Sequence, residues 1–261
     1  VGAAALTARI PLTTGSRTAR AASCGLAFDA LGGPLVAICG LTGGAGTSTL
    51  AFLVARQAAR DSNAPVLLTE HDAQRPGLAA IAGRATPRPL VALAQELANE
   101  RAPADTFAEV SDGLRLIAAA PQLAPQVDPT AVHSLLDEAR AAHGLVVVDC
   151  GTYWTKESPV LDRATHIIWT VAATPTAVAR ASVALDTIAP PPGRGREALA
   201  AARLTPGRAV SVRALRRVAT RRCERLALIP YDERVAHDPQ HVGDSARHAL
   251  NALGSVLRSN P

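Results

Sequence analysis

Methionine is missing from all 261 residues, and of the 27 basic side chains only Lys156 is lysine. A genome-wide codon bias produces that skew toward arginine, so the arginine count by itself says little about any one site. The chain opens at Val1, which leaves room for sequence upstream. Cysteine is scarce: Cys24, Cys39, Cys150 and Cys223 form no CxxC pair and join no His-rich ligand spacing, which argues against a metal module of that kind. A reduced, cytosolic compartment fits best. No apolar run approaches the roughly 18 residues that a membrane span needs. No signal-peptide pattern opens the chain either. What is present is ordinary for a folded α/β protein, with 48% hydrophobic and 19% charged residues, and this excludes wholesale disorder. A formal charge of +5 and a pI near 9.6 permit contact with nucleic acid or anionic lipid.

The chain is organised around residues 36–50, where a short apolar run breaks into Thr42-Gly-Gly-Ala-Gly-Thr-Ser-Thr49 and continues as an Ala- and Leu-rich amphipathic segment. Strand, glycine turn and helix are the implied order. Glycines at 43, 44 and 46 let the backbone curl around an anion and aim several N–H groups at it, and the helix N-terminus adds partial positive charge. The usual phosphate loop places lysine directly after its last glycine, and here that residue is Thr47. Codon bias turns Lys into Arg and does not account for threonine. The loop therefore reads as a phosphate cradle poorly equipped for catalysis.

Residues 1–33 are rich in Ala, Thr and Gly without sustained periodicity and read as an extension or linker. Beyond Pro34 the spacing predicts strands over 35–39, 114–118 and 197–202 and helices over 47–60, 87–101, 210–222 and 244–258. The stretch 102–112 reads as a loop. Asp128-Pro-Thr supplies an N-cap with proline at the first helical position, and a helix follows to about residue 142. Apolar runs end in Glu70-His-Asp72 and in Asp149-Cys-Gly151. Alternation along a strand puts Glu70 and Asp72 on one face, where both could meet a Mg2+ ion or an attacking water. His133 reads as a surface residue and Trp169 as core. Arg213, Arg216, Arg217 and Arg221 share one face of the 210–222 helix, with Arg222 beside them, and could neutralise DNA phosphates. No aromatic residue interleaves them, which argues against stacking on single strands.

Thr42–Thr49 resembles the deviant Walker A loop, K-G-G-x-G-K-[ST]-[ST], of the MinD/ParA-like ATPases, with threonine at both family lysines, Thr42 and Thr47. Further landmarks come in the family's order: Glu70 and Asp72 on the D-x-D positions with Pro76 and Leu78 after them, Asp149 as the Walker B carboxylate, Thr174-Pro175, and Ile229-Pro-Tyr-Asp232 in the last strand. Where the family commonly carries Asn-Arg, the Asn reading adenine, this chain has Ala202-Arg203. The Lys- and Phe-rich tail by which MinD-like proteins reach a membrane is absent.

The resemblance implies a doubly wound, mostly parallel α/β domain over residues 34–261 with helices on both faces. It also implies ATP or ADP with Mg2+, phosphate held by Gly43, Gly44, Ala45, Gly46, Thr47, Ser48 and Thr49, the metal by Ser48, Asp72 and Asp149, and water positioned by Asp72. Loss of both lysines implies weak or absent hydrolysis. The leading expectation is a pseudo-ATPase acting as a positioning or regulatory subunit, in septum placement, a pilus or secretion apparatus, or DNA segregation, as a homodimer or with a partner. An active ATPase using arginine, for instance Arg75, and a nucleotide-free DNA-binding scaffold are the alternatives.

Overall fold

The computed structural model describes residues 32–71, 77–86, 88–99, 107–118, 128–152, 158–188, 196–203 and 210–258. The chain alternates strand and helix: β1 (Leu35–Gly40), α1 (Thr47–Asp61), β2 (Val66–Glu70), α2 (Leu78–Ala82), α3 (Leu90–Ala98), β3 (Ala108–Ser111), β4 (Leu114–Ile117), α4 (Pro129–Ala142), β5 (Leu145–Asp149), α5 (Pro159–Arg163), β6 (His166–Ala172), α6 (Pro175–Thr187), β7 (Arg196–Ala202), α7 (Val212–Ala219), β8 (Arg225–Ile229), α8 (Glu233–His237) and α9 (Asp244–Arg258). Apolar strands separated by amphipathic helices must cover both sheet faces, and parallel pairing follows from such crossovers. The eight strands lie in the order β3-β4-β2-β5-β1-β6-β7-β8. All pairs are parallel except β3 with β4. This is a doubly wound α/β sheet.

Strand β1 shows why the strands read as continuous apolar runs. Leu35, Ala37 and Cys39 face a core with Leu136, Leu161, Val178 and Leu215 from α4, α5, α6 and α7. Val36 and Ile38 face a second core with Leu50, Phe52, Leu250 and Leu253 from α1 and α9. With both faces covered, every residue of β1 is buried. The chain winds to one side of β1 through β2 and β4, returns as β5, and continues on the other side through β6, β7 and β8. That reversal opens a crevice at the carboxyl end of β1, the usual ligand position in such sheets.

Three expectations need correction. Residues 108–111, read as loop, form the edge strand β3, antiparallel to β4. The hairpin signal was there in Asp112-Gly113, a two-residue connection with Gly113 at φ 76°. Its four residues were too few to show a period. Helix α7 ends at Ala219 rather than near 222, and α3 spans Leu90–Ala98 rather than 87–101. Of the expected N-terminal extension, residues 1–31 lie outside the described residues. Gly33 is tied to α4, its N–H donating to Arg140 O at 2.9 Å and its carbonyl accepting from Arg140 Nε at 2.8 Å.

Candidate nucleotide site

The glycine loop leaves the carboxyl end of β1 and turns directly into α1. Gly44 and Gly46 hold φ of 70° and 79°, the left-handed region that side chains disfavour. Gly43 and Gly44 are exposed, and a Cβ built on either would meet nothing within 4 Å. The cradle is open to whatever its amides face. Helices α4, α6 and α7 begin on Asp128, Thr174 and Ser211, whose side chains accept a first-turn N–H. Helix α1 begins on Gly46 with no side-chain cap and no acidic residue in its first turn. An anion is the partner such a helix start favours.

Thr47 stands where a phosphate loop carries lysine, and its side chain points the other way. It is only 7% exposed, and its Oγ1 lies 2.9 Å from Thr170 Oγ1 near the end of β6. Thr170 Oγ1 in turn donates to Cys39 O at 3.3 Å, which makes the Thr47 hydroxyl the donor of the pair. Closeness is enforced at Gly40, where a Cβ would come within 2.5 Å of Thr47 Oγ1. Thr42 has a buried hydroxyl oxygen without a hydrogen-bond partner among the described residues.

The acidic residues gather at the neighbouring strand ends. Glu70 pairs with Asp149 in the β2–β5 register, so the two carboxylates leave the same face of the sheet. Asp149 is 3% exposed, and its Oδ1 accepts from Gly151 N at 2.9 Å. Glu70, 2% exposed, turns its Oε2 to the start of α2, accepting from Gly77 N at 3.1 Å and Leu78 N at 3.3 Å. Gly77 also abuts Ser48, whose Oγ would lie 2.8 Å from a Cβ there. Glu70 and Asp149 are thus brought to adjoining strand ends, and Ser48, in the first turn of α1, lies against the Gly77 whose amide Glu70 accepts. Asp72 and Arg75 lie outside the described residues. Beside Asp149, the Cys150 thiol is held well above its ordinary pKa by a hydrogen bond with Cys39 and by burial.

A cavity of about 240 Å³ continues from the loop toward the ends of β7 and β8, lined among others by Gly46, Thr49, Ala202, Arg203, Tyr231 and Asp232. Segments 202–203 and 229–232, far apart in the chain, therefore meet beside the loop. Asp232 is engaged in holding its own surroundings: Oδ1 accepts from Arg234 N at 3.0 Å and Oδ2 from Gly243 N at 2.6 Å.

Neither a family model nor a curated protein matches the sequence. Solved structures do match. MinD from Pyrococcus horikoshii, complexed with Mg-ADP, superposes with a TM-score of 0.66 at 13% identity, over 86% of this chain and 95% of that one. A putative plasmid partition protein from Borrelia burgdorferi, bound to AMPPNP, gives 0.65 at 16% identity over 87% and 99%. A ParA family ATPase from Chlorobium tepidum gives 0.61 at 16% identity over 87% and 94%. The fold is that of the MinD and ParA ATPases.

Within this MinD/ParA fold the arginine face divides. Arg213, Arg216 and Arg217 are exposed on α7. Arg221, beyond the helix end, pairs with Asp186. Arg222 turns inward: its Nε reaches Glu197 Oε2 at 2.6 Å, its guanidinium lies 5.4 Å from the centre of the Trp169 ring, and NH1 donates to Ile188 O at 2.7 Å. Trp169 Nε1 donates to the same Glu197 oxygen at 2.6 Å. Sequence reading missed this buried cluster, because only the pairing of β6 with β7 brings Trp169 near Glu197. Burial first, and Glu197 second, push the neighbouring Cys223 thiol up to about 12. His133 Nε2 lies 3.6 Å from Asp162 Oδ2 between α4 and α5.

Proposed function

We propose that residues 34–261 form a nucleotide-binding domain that kept its phosphate cradle and lost, or greatly weakened, hydrolysis. The inward turn of Thr47 carries the reading. A lysine there would present a cation to the terminal phosphates, whereas Thr47 is neutral and its hydroxyl is committed to Thr170. Electrostatic stabilisation of that kind contributes about 3–4 kcal/mol to a transition state, or two to three orders of magnitude in rate. Binding has support of its own in the open glycines, the uncapped start of α1 and the buried Thr42 oxygen, which has no partner among the described residues. ATP or ADP would lie against the amides of residues 43–49, with Ser48 and Asp149 holding Mg2+, whose chemistry is to neutralise phosphate charge. One or two protein oxygens suffice for Mg2+ when phosphates complete its shell. Related folds are recorded with Mg-ADP and AMPPNP, which agrees with this assignment.

A nucleotide held without turnover suits a positioning or regulatory subunit, working as a homodimer or with a partner in septum placement, a secretion or pilus apparatus, or DNA segregation. Titrating a fluorescent ATP analogue with Mg2+ and then assaying phosphate release tests the proposal. Saturable binding without release is expected. Steady turnover abolished by Asp72→Ala would establish a working ATPase instead. The exposed row Arg213, Arg216 and Arg217 favours a second reading, contact with duplex DNA. Affinity falling steeply with salt in the wild type, with a shallower slope after charge removal, is its signature.

A further inference from the structure

We infer that the outer edge of β8 is a docking strip for an extended, acidic segment of a partner protein, which adds to the eight-stranded sheet as a further strand. Strand β8 ends the strand order and pairs with β7 alone. In a parallel pair, alternate residues turn both backbone groups to the same neighbour. Ile229 O accepts from Arg203 N at 3.0 Å, so Arg225, Ala227 and Ile229 face β7. Leu226 and Leu228 therefore direct N–H and C=O outward, and among the described residues no backbone hydrogen bond reaches them there. Natural sheets blunt such an edge with proline, a bulge or a covering element. Arg225-Leu-Ala-Leu-Ile229 contains no proline, and its register with β7 is unbroken.

Side chains beside the edge define what fits it. Leu226 packs against the core that holds Leu215 and Val218 of α7, and Ala227 against the opposite one, so Leu228 shares the α7 face of the sheet. Helix α7 buries Leu215, Val218 and Ala219. Each residue advances the helix by about 100°, which sets Val212 and Arg216 on one flank of that stripe and half-buried Ala214 on the other. A right-handed β7–α7–β8 crossover puts α6 on the Ala214 flank and turns the Val212 flank to the free edge. Val212 at 41% and Leu228 at 42%, two of the three large apolar side chains exposed among the described residues, thus border it. Charge supplies the rest. Residues 210–229 hold six arginines against one carboxylate, Glu224, and Arg213, Arg216, Arg217 and Arg225 are exposed. Like charge disfavours a second copy of this edge, and unfilled backbone groups beside apolar side chains serve no contact with duplex phosphates. An extended chain that alternates apolar with acidic residues meets every feature: main-chain bonds at Leu226 and Leu228, apolar contact with Val212 and Leu228, and carboxylates near Arg216 and Arg225.

The experiment titrates the full chain with a fluorescein-labelled octapeptide alternating valine and glutamate, and with the same peptide carrying lysine for glutamate, following anisotropy and amide hydrogen exchange. The glutamate peptide binds saturably and slows exchange at Leu226 and Leu228 by about tenfold or more, while the lysine peptide binds about tenfold more weakly or worse. Arg216→Glu/Arg225→Glu, altered only at exposed positions, weakens the glutamate peptide by about tenfold, because attraction gives way to repulsion. Leu228→Pro removes an outward N–H that β7 does not use and abolishes the protection. Absence of saturable binding by the glutamate peptide overturns the proposal, and a short DNA duplex that binds in its place leaves the arginines to nucleic acid. Binding with both amides still exchanging freely overturns the edge pairing, and equal binding of the two peptides overturns the acidic partner. Dimers that protect these amides without any peptide assign the edge to a second copy instead. The charge-reversed variant keeps the outcome decisive if Leu228→Pro does not fold.

Discussion

Removing the Arg222 guanidinium should cost far more stability than removing that of its neighbour Arg221. Arg222 and Glu197 are 11% and 10% exposed and 2.6 Å apart, whereas Arg221 and Asp186 are 42% and 52% exposed. In Arg222→Ala the Glu197 carboxylate stays in the core with the Trp169 indole N–H as its side-chain donor among the described residues. Breaking one side of a buried ion pair costs about 3–5 kcal/mol. The stacking over Trp169 and the bond to Ile188 O form part of the same loss and are not added to it. Out of a total stability of about 5–15 kcal/mol this is a large fraction. Arg221→Ala should change stability by about 0–1 kcal/mol, because its pair is solvated and screened. Urea unfolding followed by tryptophan fluorescence and circular dichroism measures both. The double variant Arg222→Met/Glu197→Gln should be less destabilised than Arg222→Ala, since no carboxylate is stranded. An Arg222→Ala cost below about 1 kcal/mol, with an unchanged denaturant slope, would refute the argument that this cluster is desolvated.

Two histidines make stability depend on pH. Burial lowers the pKa of His143 and of His166, and Arg115 and Arg196 respectively lower them further. Arg115 NH1 lies 3.5 Å from His143 Nε2, while Nδ1 faces Ala139 O at 2.8 Å, an arrangement that suits the neutral ring. The unfolded chain therefore takes up protons first as pH falls. Their contribution is intact above about pH 6.5 and is lost as pH drops below it toward the folded values. Replacing both with Gln should flatten the urea midpoint between about pH 7 and pH 5, and an unchanged slope would reject the assignment. Thr170→Val removes the acceptor of the buried Thr47 hydroxyl and should cost about 1–3 kcal/mol. Thr47→Val alone should cost less, because Thr170 keeps Cys39 O, and a thermal shift equal for both variants would contradict the stated donor order.

The loop and its helix were legible because their signals are local: glycines where φ turns positive, an apolar strand before them, and helical spacing after. Helix α4 was legible for the same reason, its Asp128 cap and Pro129 lying within three residues of each other. Periodicity failed where an element was too short or ended early. Strand β3 has four residues, and α7 stops at Ala219, so the face that would align Arg221 with Arg213 does not exist.

The sequence by itself determined the main alternation of strands and helices apart from β3 and the short helices α2, α5 and α8, together with the glycine turn, the acidic strand ends and the threonines at 42 and 47, since each is written in neighbouring residues. Tertiary structure alone decided where Thr47 points, because its partner Thr170 is 123 residues away, and which arginine is buried, because Glu197 and Trp169 meet only through the pairing of β6 with β7. Side-chain direction and desolvation arise between elements, and no local pattern encodes them.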